Sequence, residues 1–450
     1  MAEPRGGARD VALRALVAIE QGGSYANLAR GGLDGLSAAD RGLAVELIGG
    51  VTRRRATLDW YLGQLVSRPL AELTPPIRNG LRLGAYQLLF LTRVPARAAV
   101  DEAVKLARRY GHEGVAKLTN GVLRSLDRKR DALPLPSFAD DPVAALEVGY
   151  SLPRWLAARW HAAYGAEAEA LAAWSVAPPR LAVRVNTLRA TVAQVRDAFA
   201  SAGLAPELSA VAPEGLRVAI AADPAGWPGY ADGWWYVQDE AAMLVARVVD
   251  PQPGETVIDV GAAPGGKTTH LAQLMGDRGT LIAVDRAPAR LALLEENCSR
   301  LGVTIARPLA GDMRELTDLP SADRILLDAP CSGLGVLNRK PDLRWRQTPE
   351  AIAELAALQG ALLDACAARL APGGVLVYST CTIGREENQD VIQAFLARHP
   401  DFTGEPLAPW LPAAWQADTE DHGATLQLLP SRHGVDGFFI ARLRRGIMGA

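Results

Sequence analysis

Cysteine is scarce in this chain. There are four in 450 residues, Cys298, Cys331, Cys366 and Cys381, all in the C-terminal part. None forms a CxxC pair. The six histidines (His112, His161, His270, His399, His422 and His433) do not cluster near them at ligand spacing, so no metal site is expected. In a reducing compartment such cysteines are buried apolar fillers or reactive thiols, not a disulfide framework. Long hydrophobic runs are missing too: no apolar stretch approaches the ~18 residues of a membrane span. The start, Met1-Ala2-Glu3-Pro4-Arg5-Gly6-Gly7, lacks a basic segment followed by an apolar one, so no secretory leader is expected. The expectation is a cytoplasmic protein with no membrane association. Internal repeats and low-complexity segments are also lacking. What is present is ordinary globular material, 49% hydrophobic and 22% charged, enough to build a real core and to exclude a disordered chain. At roughly 150 residues per domain the length suggests about three domains.

The net charge of −2 conceals an asymmetry. Residues 1–130 hold 21 Lys+Arg against 12 Asp+Glu, while the remainder holds 27 against 38. A basic module joined to an acidic one points to a polyanionic partner for the basic part. Arginine far outnumbers lysine, which suits phosphate recognition. A plain solvated surface is the alternative.

Periodic apolar residues predict an all-α region over about 8–130, with Val11, Leu13, Leu16, Val17 and Ile19 on one face of its first helix. Further helical stretches fall near 41–66, 77–91, 97–110 and 115–126, with Pro75-Pro76 and Pro95 at plausible helix starts. The Pro- and Asp-rich stretch 132–142 reads as a linker. A small α+β segment follows: helical patterns near 153–174, a strand at 181–185, a helix near 191–202 and a strand near 216–219. From Gln238 onward short branched apolar runs (257–260, 281–284, 325–327, 375–378) alternate with helical patterns at about 266–275, 288–301 and 350–370. That alternation predicts an α/β, Rossmann-like domain with a doubly wound parallel sheet and its ligands at the carboxyl ends of the strands. The expected division is 1–131, 142–237 and 238–446.

Gly261-Ala262-Ala263-Pro264-Gly265-Gly266-Lys267-Thr268 follows a strand and opens a helix. It matches the phosphate-loop pattern GxxxxGK[ST], and Ile325-Leu326-Leu327-Asp328 passes for a magnesium-holding strand. A nucleotide hydrolase is therefore one reading. The other is a loop that lets backbone approach S-adenosylmethionine (AdoMet). The residues that follow favour the second. Asp285 ends the next strand about 20 residues on, where a carboxylate accepts ribose hydroxyls, and Gly311-Asp312 follows the third strand position, suited to the adenine amine. Carboxylates there would repel a polyphosphate. Asp259, Asp285 and Asp312 could each be an ordinary cap or turn residue; three at successive strand ends make that weak.

Asp328-Ala329-Pro330-Cys331 ends one apolar strand and Ser379-Thr380-Cys381 the next, so both thiols project from one edge of the sheet. Cys298 and Cys366 lie inside helical patterns and read as inert core. A thiol beside AdoMet suits methylation of a pyrimidine carbon, because thiolate attack on C6 of cytosine makes C5 able to take a methyl group.

The motifs Asp259-Val260-Gly261-Ala262-Ala263-Pro264-Gly265-Gly266-Lys267-Thr268, Asp328-Ala329-Pro330-Cys331-Ser332-Gly333 and Tyr378-Ser379-Thr380-Cys381-Thr382, with Glu386-Glu387-Asn388 and Gly434-Val435-Asp436-Gly437-Phe438-Phe439, resemble the RsmB/Sun family of RNA cytosine-C5 methyltransferases. The N-terminal region resembles the NusB-like RNA-binding helical fold, through Leu118-Thr119-Asn120-Gly121-Val122-Leu123-Arg124. The resemblance spans nearly the whole chain. It implies AdoMet as methyl donor and RNA as partner, small-subunit (16S) ribosomal RNA in particular, with no DNA partner and a monomeric state. It further implies Cys381 as nucleophile, Cys331 assisting product release, and Asp328 and Lys267 touching the cytosine. Gly261, Ala262, Ala263, Pro264, Gly265, Gly266, Lys267, Asp285, Arg290, Asp312 and Asp328 would hold the donor. DNA cytosine methyltransferases attack with the cysteine of a Pro-Cys motif, so the choice of Cys381 rests on the family. One departure is Gly261, where many members carry cysteine; that position is neither nucleophile nor acid. An RNA-binding or antitermination module without activity is the non-enzymatic alternative, and intact Cys331 and Cys381 argue against it.

Residues 337–346 (Leu-Asn-Arg-Lys-Pro-Asp-Leu-Arg-Trp-Arg) mix cations with a tryptophan. Phosphate contact with base stacking is the functional reading, a solvated loop the other. Arg53-Arg54-Arg55 and Arg128-Lys129-Arg130 offer the same choice between phosphate contact and plain helix charge.

Overall fold

The computed structural model describes residues 7–22, 33, 35–219 and 224–447. Of the stretch read for a leader, all but Gly7 lies outside them. The chain forms two compact units: Met1–Pro178 with Leu337–Arg346, and Pro179–Val336 with Gln347–Ala450.

The first unit is helical. Its helices Ala8–Glu20, Ala38–Arg53, Arg55–Gly63, Pro75–Phe90, Ala96–Tyr110 and Glu113–Lys129 bury one apolar core that includes Leu13, Leu47, Leu58, Leu81, Leu83 and Leu123. Pro75 and Pro76 occupy the first turn of their helix and Pro95 the N-cap of the next, where a missing N–H costs nothing. Val17 and Ile19, expected on the buried face of the first helix, pack only at the margin of the core. Helices Arg154–Tyr164 and Glu167–Val176 complete the unit.

Residues 337–346 also belong to this unit; Lys340 and Arg346 are exposed, whereas Arg344 and Trp345 are packed into it. Arg344 is fully buried. Its guanidinium donates to the carbonyls of Arg53 (3.4 Å), Tyr150 (3.3 Å), Ser151 (3.3 Å), Ser175 (2.7 Å) and Leu337 (3.3 Å). Arg53 and Ser175 lie in the last turns of their helices, so a cation meets the negative ends of two helix dipoles and satisfies carbonyls that have no intrahelical donor. Burial lowers its pKa to about 9, with Arg53 and Arg54 adding to the effect, which still leaves it charged at neutral pH. The Trp345 indole donates to Thr52 O (2.9 Å) and lies under Arg55 (4.9 Å). Arg53 donates to Asn338 O (3.2 Å) and Arg54 to Gly149 O (3.2 Å). Arg53, Arg54 and Arg55 are thus largely structural, whereas Arg128 and Lys129 are exposed.

The second unit contains two sheets. In the smaller, β1 (Leu181–Val185), β2 (Pro206–Leu208), β3 (Gly215–Val218) and β4 (Trp235–Val237) run antiparallel in the order β2-β3-β1-β4. They pack with helix Val192–Ser201 around Phe199, Trp227 and Trp235. A reciprocal Thr191–Gln194 capping box starts that helix. From β1, the fully buried Arg184 donates to Gln238, to Gly266 O (2.6 Å) and to Thr269 Oγ1 (2.9 Å). The small sheet is thereby tied to the first turn of helix Gly266–Leu274, directly behind the glycine loop.

The larger sheet has β5 (Thr256–Val260), β6 (Thr280–Asp285), β7 (Ala306–Ala310), β8 (Ala322–Asp328) and β9 (Leu370–Thr380), parallel in the order β9-β8-β5-β6-β7. The expected parallel sheet is only this part. β10 (Phe402–Gly404), β11 (Thr419–Glu420), β12 (Thr425–Leu428) and β13 (Phe438–Arg445) add an antiparallel flank, with β13 against β9. The sheet is therefore mixed. Its central strands are buried on both faces, which is why they read as unbroken branched runs. After β5 the chain moves to one side through β6 and β7, then to the other through β8 and β9. That reversal opens a crevice at the carboxyl ends of β5 and β8.

Candidate active site

The glycine loop leaves β5 at Gly261, whose φ of +83° is left-handed. A Cβ there would stand 2.3 Å from the Asp328 carbonyl oxygen, so a bare glycine is what lets the loop turn this close to the end of β8. The loop curls onto the end of β6. Gly261 N and Ala262 N donate to Val284 O (2.9 and 3.1 Å), and Ala263 N donates to Asp285 Oδ2 (3.1 Å). Asp285 also accepts from Ala287 N (2.9 Å) and pairs with Arg290 (3.6 Å), which donates to Ala263 O. Asp285 and Arg290 therefore lie together at the loop. Gly311 N donates to Asp285 O (3.1 Å), which brings Asp312 alongside. The Asp312 carboxylate receives Nε and Nη2 of Arg314 (2.9 and 2.7 Å) and its amide (3.1 Å). Those hydrogen bonds, against modest desolvation, hold its pKa near 2.

At the foot of the loop Asp259 is fully buried. Thr268 Oγ1 donates to its Oδ2 (2.6 Å), and its Oδ1 has no hydrogen-bond partner among the described residues. Burial, with the charge of Asp328, pushes its pKa up to about 7.

Lys267 does not point to a phosphate site. Its ammonium donates to Asp328 Oδ2 (2.7 Å) and lies over the Phe438 ring (5.3 Å). Burial works against that charge, but the Asp328 carboxylate, by charge and hydrogen bond, outweighs it and raises the pKa, with Cys381 and Asp259 contributing. Ser379 Oγ donates to the other oxygen of Asp328 (3.0 Å). The loop's lysine is thus matched to a carboxylate, and Asp259, Asp285 and Asp312 surround the same crevice. A polyphosphate would meet net repulsion there. A cationic ligand would not. The unpartnered Asp259 oxygen and the acidic donor set suit AdoMet, which carries an ammonium and a sulfonium.

Cys331 and Cys381 follow the adjacent parallel strands β8 and β9, and their sulfurs are 3.3 Å apart. Gly335 N donates to Cys381 O (3.0 Å) and Gly437 N to Gly335 O (2.8 Å). Gly335 and Gly437 approach so closely that a Cβ on Gly335 would stand 2.0 Å from Gly437 O. This fixes the Cys331 turn over the Cys381 turn. The neighbouring Cys381 and burial push the Cys331 thiol well up. Cys298 and Cys366 lie buried in helices, where desolvation raises both thiols, Cys298 to about 11. They are core, as their helical setting implied. Among the described residues no group of three His, Cys, Asp or Glu side chains could hold a metal.

Sequence reasoning missed several groups at this site. Ser379 and Phe438 lie within the motifs, but nothing in the sequence gives either a role. Gln359, which donates to Pro330 O (2.8 Å) beside Cys331, and Gln427, which donates to Thr382 O (3.3 Å) beside Cys381 and accepts from Asn388 Nδ2 (2.8 Å), carry no signal in the sequence, because a polar residue on an otherwise apolar helix or strand face does not reveal what it contacts.

Comparison with known proteins fits this geometry. The family described as 16S rRNA methyltransferase RsmB/F matches residues 246–444, the NusB family residues 7–128, and an RsmF/B-like ferredoxin-like domain residues 152–223. A relative from Synechocystis, named probable ribosomal RNA small subunit methyltransferase B, is 43% identical over 91% of this chain and 92% of its own length. One of the same name from Bacillus subtilis is 39% identical over 97% and 98%. Among solved structures, NSun6 from Pyrococcus horikoshii with SFG is similar at a TM-score of 0.57 and 26% identity, covering 64% of this chain and 96% of that one. With relatives this similar over nearly their whole length, and with the paired thiols in place, the chain belongs to the RsmB/F family of ribosomal RNA small subunit methyltransferases.

Proposed function

We propose that this protein transfers a methyl group from AdoMet to C5 of a cytosine in small-subunit ribosomal RNA, through a transient bond between Cys381 and C6. The observation that carries this reading is the pair of thiols 3.3 Å apart beside the Lys267–Asp328 ion pair. The names of the relatives support the RNA, and the SFG complex of NSun6 supports the donor.

The chemistry follows from what each residue can do. C5 of cytosine is a poor nucleophile; a bond from the Cys381 sulfur to C6 shifts the C5=C6 electron pair onto C5. AdoMet, when bound, supplies an electrophilic methyl group. Loss of the C5 proton then restores C5=C6 and expels Cys381 as thiolate. Lys267 favours the Cys381 thiolate, since the two charges support one another, while Cys331 keeps its proton and donates it toward Cys381. Once the Cys381 sulfur is bonded to C6 its charge is gone, and with it the main cause that holds the proton on Cys331. Cys331 can then give that proton to solvent and take the one from C5. Asp328 and Lys267 stabilise charge on the cytosine edge. The loop 261–267, with Asp285, Arg290, Asp312 and Asp328, holds the donor. The modules are a helical RNA-binding region (1–131), an α+β segment (142–237) and the catalytic region (238–446), acting as a cytoplasmic monomer.

Two substitutions test the division of labour. With labelled RNA and AdoMet on denaturing gels, Cys381→Ala should give neither adduct nor product. Cys331→Ala should give a persistent protein–RNA band, because attack survives and elimination slows. A persistent band from Cys381→Ala, with none from Cys331→Ala, would reverse the two roles.

A further inference from the structure

Both thiol-bearing turns are anchored by two consecutive residues outside the reaction, and we infer that Glu387 and Asn388 are a positioning pair that fixes the two thiols against each other, Glu387 through the Cys331 turn and Asn388 through the Cys381 turn. The inference rests on the proposed roles of the cysteines. Both residues are fully buried, at the junction of the short turn Arg385–Glu387 and helix Gln389–Arg398.

Glu387 accepts from Ser332 N (2.8 Å), from Ser332 Oγ and from Gln359 Nε2 (3.1 Å). Gln359 Nε2 also donates to Pro330 O (2.8 Å). The residues on both sides of Cys331 are therefore held from one carboxylate and its glutamine. Asn388 does the same for Cys381: its Oδ1 accepts from Thr380 Oγ1 (2.6 Å) and its Nδ2 donates to Thr382 O (3.2 Å). The Ser332 and Thr382 hydroxyls close the ring at 2.8 Å. Tyr378 OH donates to Glu387 O (2.6 Å), which fixes the dipeptide to the strand that ends in Cys381.

A carboxylate at this depth needs several donors to be tolerated, and its hydrogen bonds come from a backbone amide, the Ser332 and Thr382 hydroxyls and an amide side chain. Burial raises its pKa, and the Ser332 and Gln359 bonds offset part of that. Its charge adds to the causes that keep Cys331 protonated, after Cys381 itself and burial. Lys267, Asp328 and Tyr378 also lie beside the thiols. Lys267 thus supports a charge on Cys381, and Glu387 opposes one on Cys331. The pair sets both the distance between the sulfurs and which of them carries the shared proton.

The test uses the full chain with Glu387→Gln and Asn388→Ala, and Ser332→Ala as a milder variant should Glu387→Gln fold poorly. Alkylation of each thiol by iodoacetamide is followed against pH by peptide mass spectrometry, and RNA adducts by denaturing gel. Removing the Glu387 charge should speed alkylation of Cys331 at pH 8 several-fold, because a like charge beside the thiolate is gone. Asn388→Ala should slow adduct formation by about tenfold while leaving AdoMet affinity unchanged, as expected for a reacting group held out of line. Wild-type alkylation profiles and adduct rates in all variants would overturn the pair. So would equal changes at both thiols that merely track loss of thermal stability. If instead Cys331→Ala traps no adduct while the Glu387→Gln alkylation shift persists, the cysteine roles fail and the positioning stands.

Discussion

Asp259 shows how far burial governs the chemistry of a single residue here. One carboxylate oxygen meets Thr268 and the other meets no donor among the described residues, so burial penalises the charged form and pushes its pKa up to about 7, well above the usual carboxylate range. The sign follows directly. Between about pH 4 and pH 7 the folded protein keeps a proton that the unfolded chain releases, so this residue's contribution to stability falls as pH rises through that window and is constant above it. Asp259→Asn keeps an acceptor for Thr268 and removes the charge. Its stability relative to wild type should therefore rise from pH 5 to pH 8, by a few kcal/mol at about 1.4 kcal/mol per pKa unit. Urea unfolding at the two pH values measures the difference, and an identical difference at both would contradict the burial of a titrating charge. Cys331 obeys the same logic through another neighbour, since its proton is held by Cys381 first and by burial second.

The glycine loop between β5 and helix Gly266–Leu274 works as an element only because Gly261 can be left-handed and bare. A methyl group there would collide with the Asp328 carbonyl. Gly261→Ala should then cost about 1–3 kcal/mol of backbone strain and weaken AdoMet binding, because the strand end that carries Asp328 must shift. Thermal unfolding and calorimetry would show it; a variant with unchanged stability and affinity would not be consistent with this loop. The loop, β5, β6, β8 and the end of β9 were legible in the sequence because they are doubly buried, branched and bounded by chemistry. The strands at 206–208, 235–237, 402–404 and 419–420 were not, since each is two or three residues long and partly exposed, too short to show a period. At the site, the thiols and the Asp–Lys pair follow from motifs at strand ends. The hydrogen bonds that hold them depend on Gln359, Glu387, Asn388 and Gln427, whose partners are set by tertiary packing. In residues 337–346 the charge of Arg344 is visible in the sequence, but the helix-end carbonyls that bury it are not.

For the molecule as a whole, charge and catalysis sit in different regions of the chain. The excess of cations in residues 1–130 survives the structural use of Arg53, Arg54 and Arg55, because Lys117, Arg128 and Lys129 are exposed. Replacing those three with alanine should weaken binding to single-stranded ribosomal RNA and lower the slope of log affinity against log salt by roughly 2, at about 0.7 per phosphate contact. An unchanged slope would make the basic balance a matter of solubility. Deleting residues 1–131 is a poorer test, since Thr52, Arg53 and Arg55 hold Trp345, Asn338 and Arg344 in place. Under the proposed function, Cys381 activates a cytosine of small-subunit ribosomal RNA through C6, so that C5 takes the methyl group from AdoMet. Bisulfite sequencing of total RNA from cells lacking this protein, complemented with wild type or with Cys381→Ala, tests it most directly. A cytosine in 16S RNA should resist conversion with the wild-type protein and convert without it or with Cys381→Ala; conversion maps that are identical in all three, or a lost mark confined to another RNA, would rule out this role for Cys381.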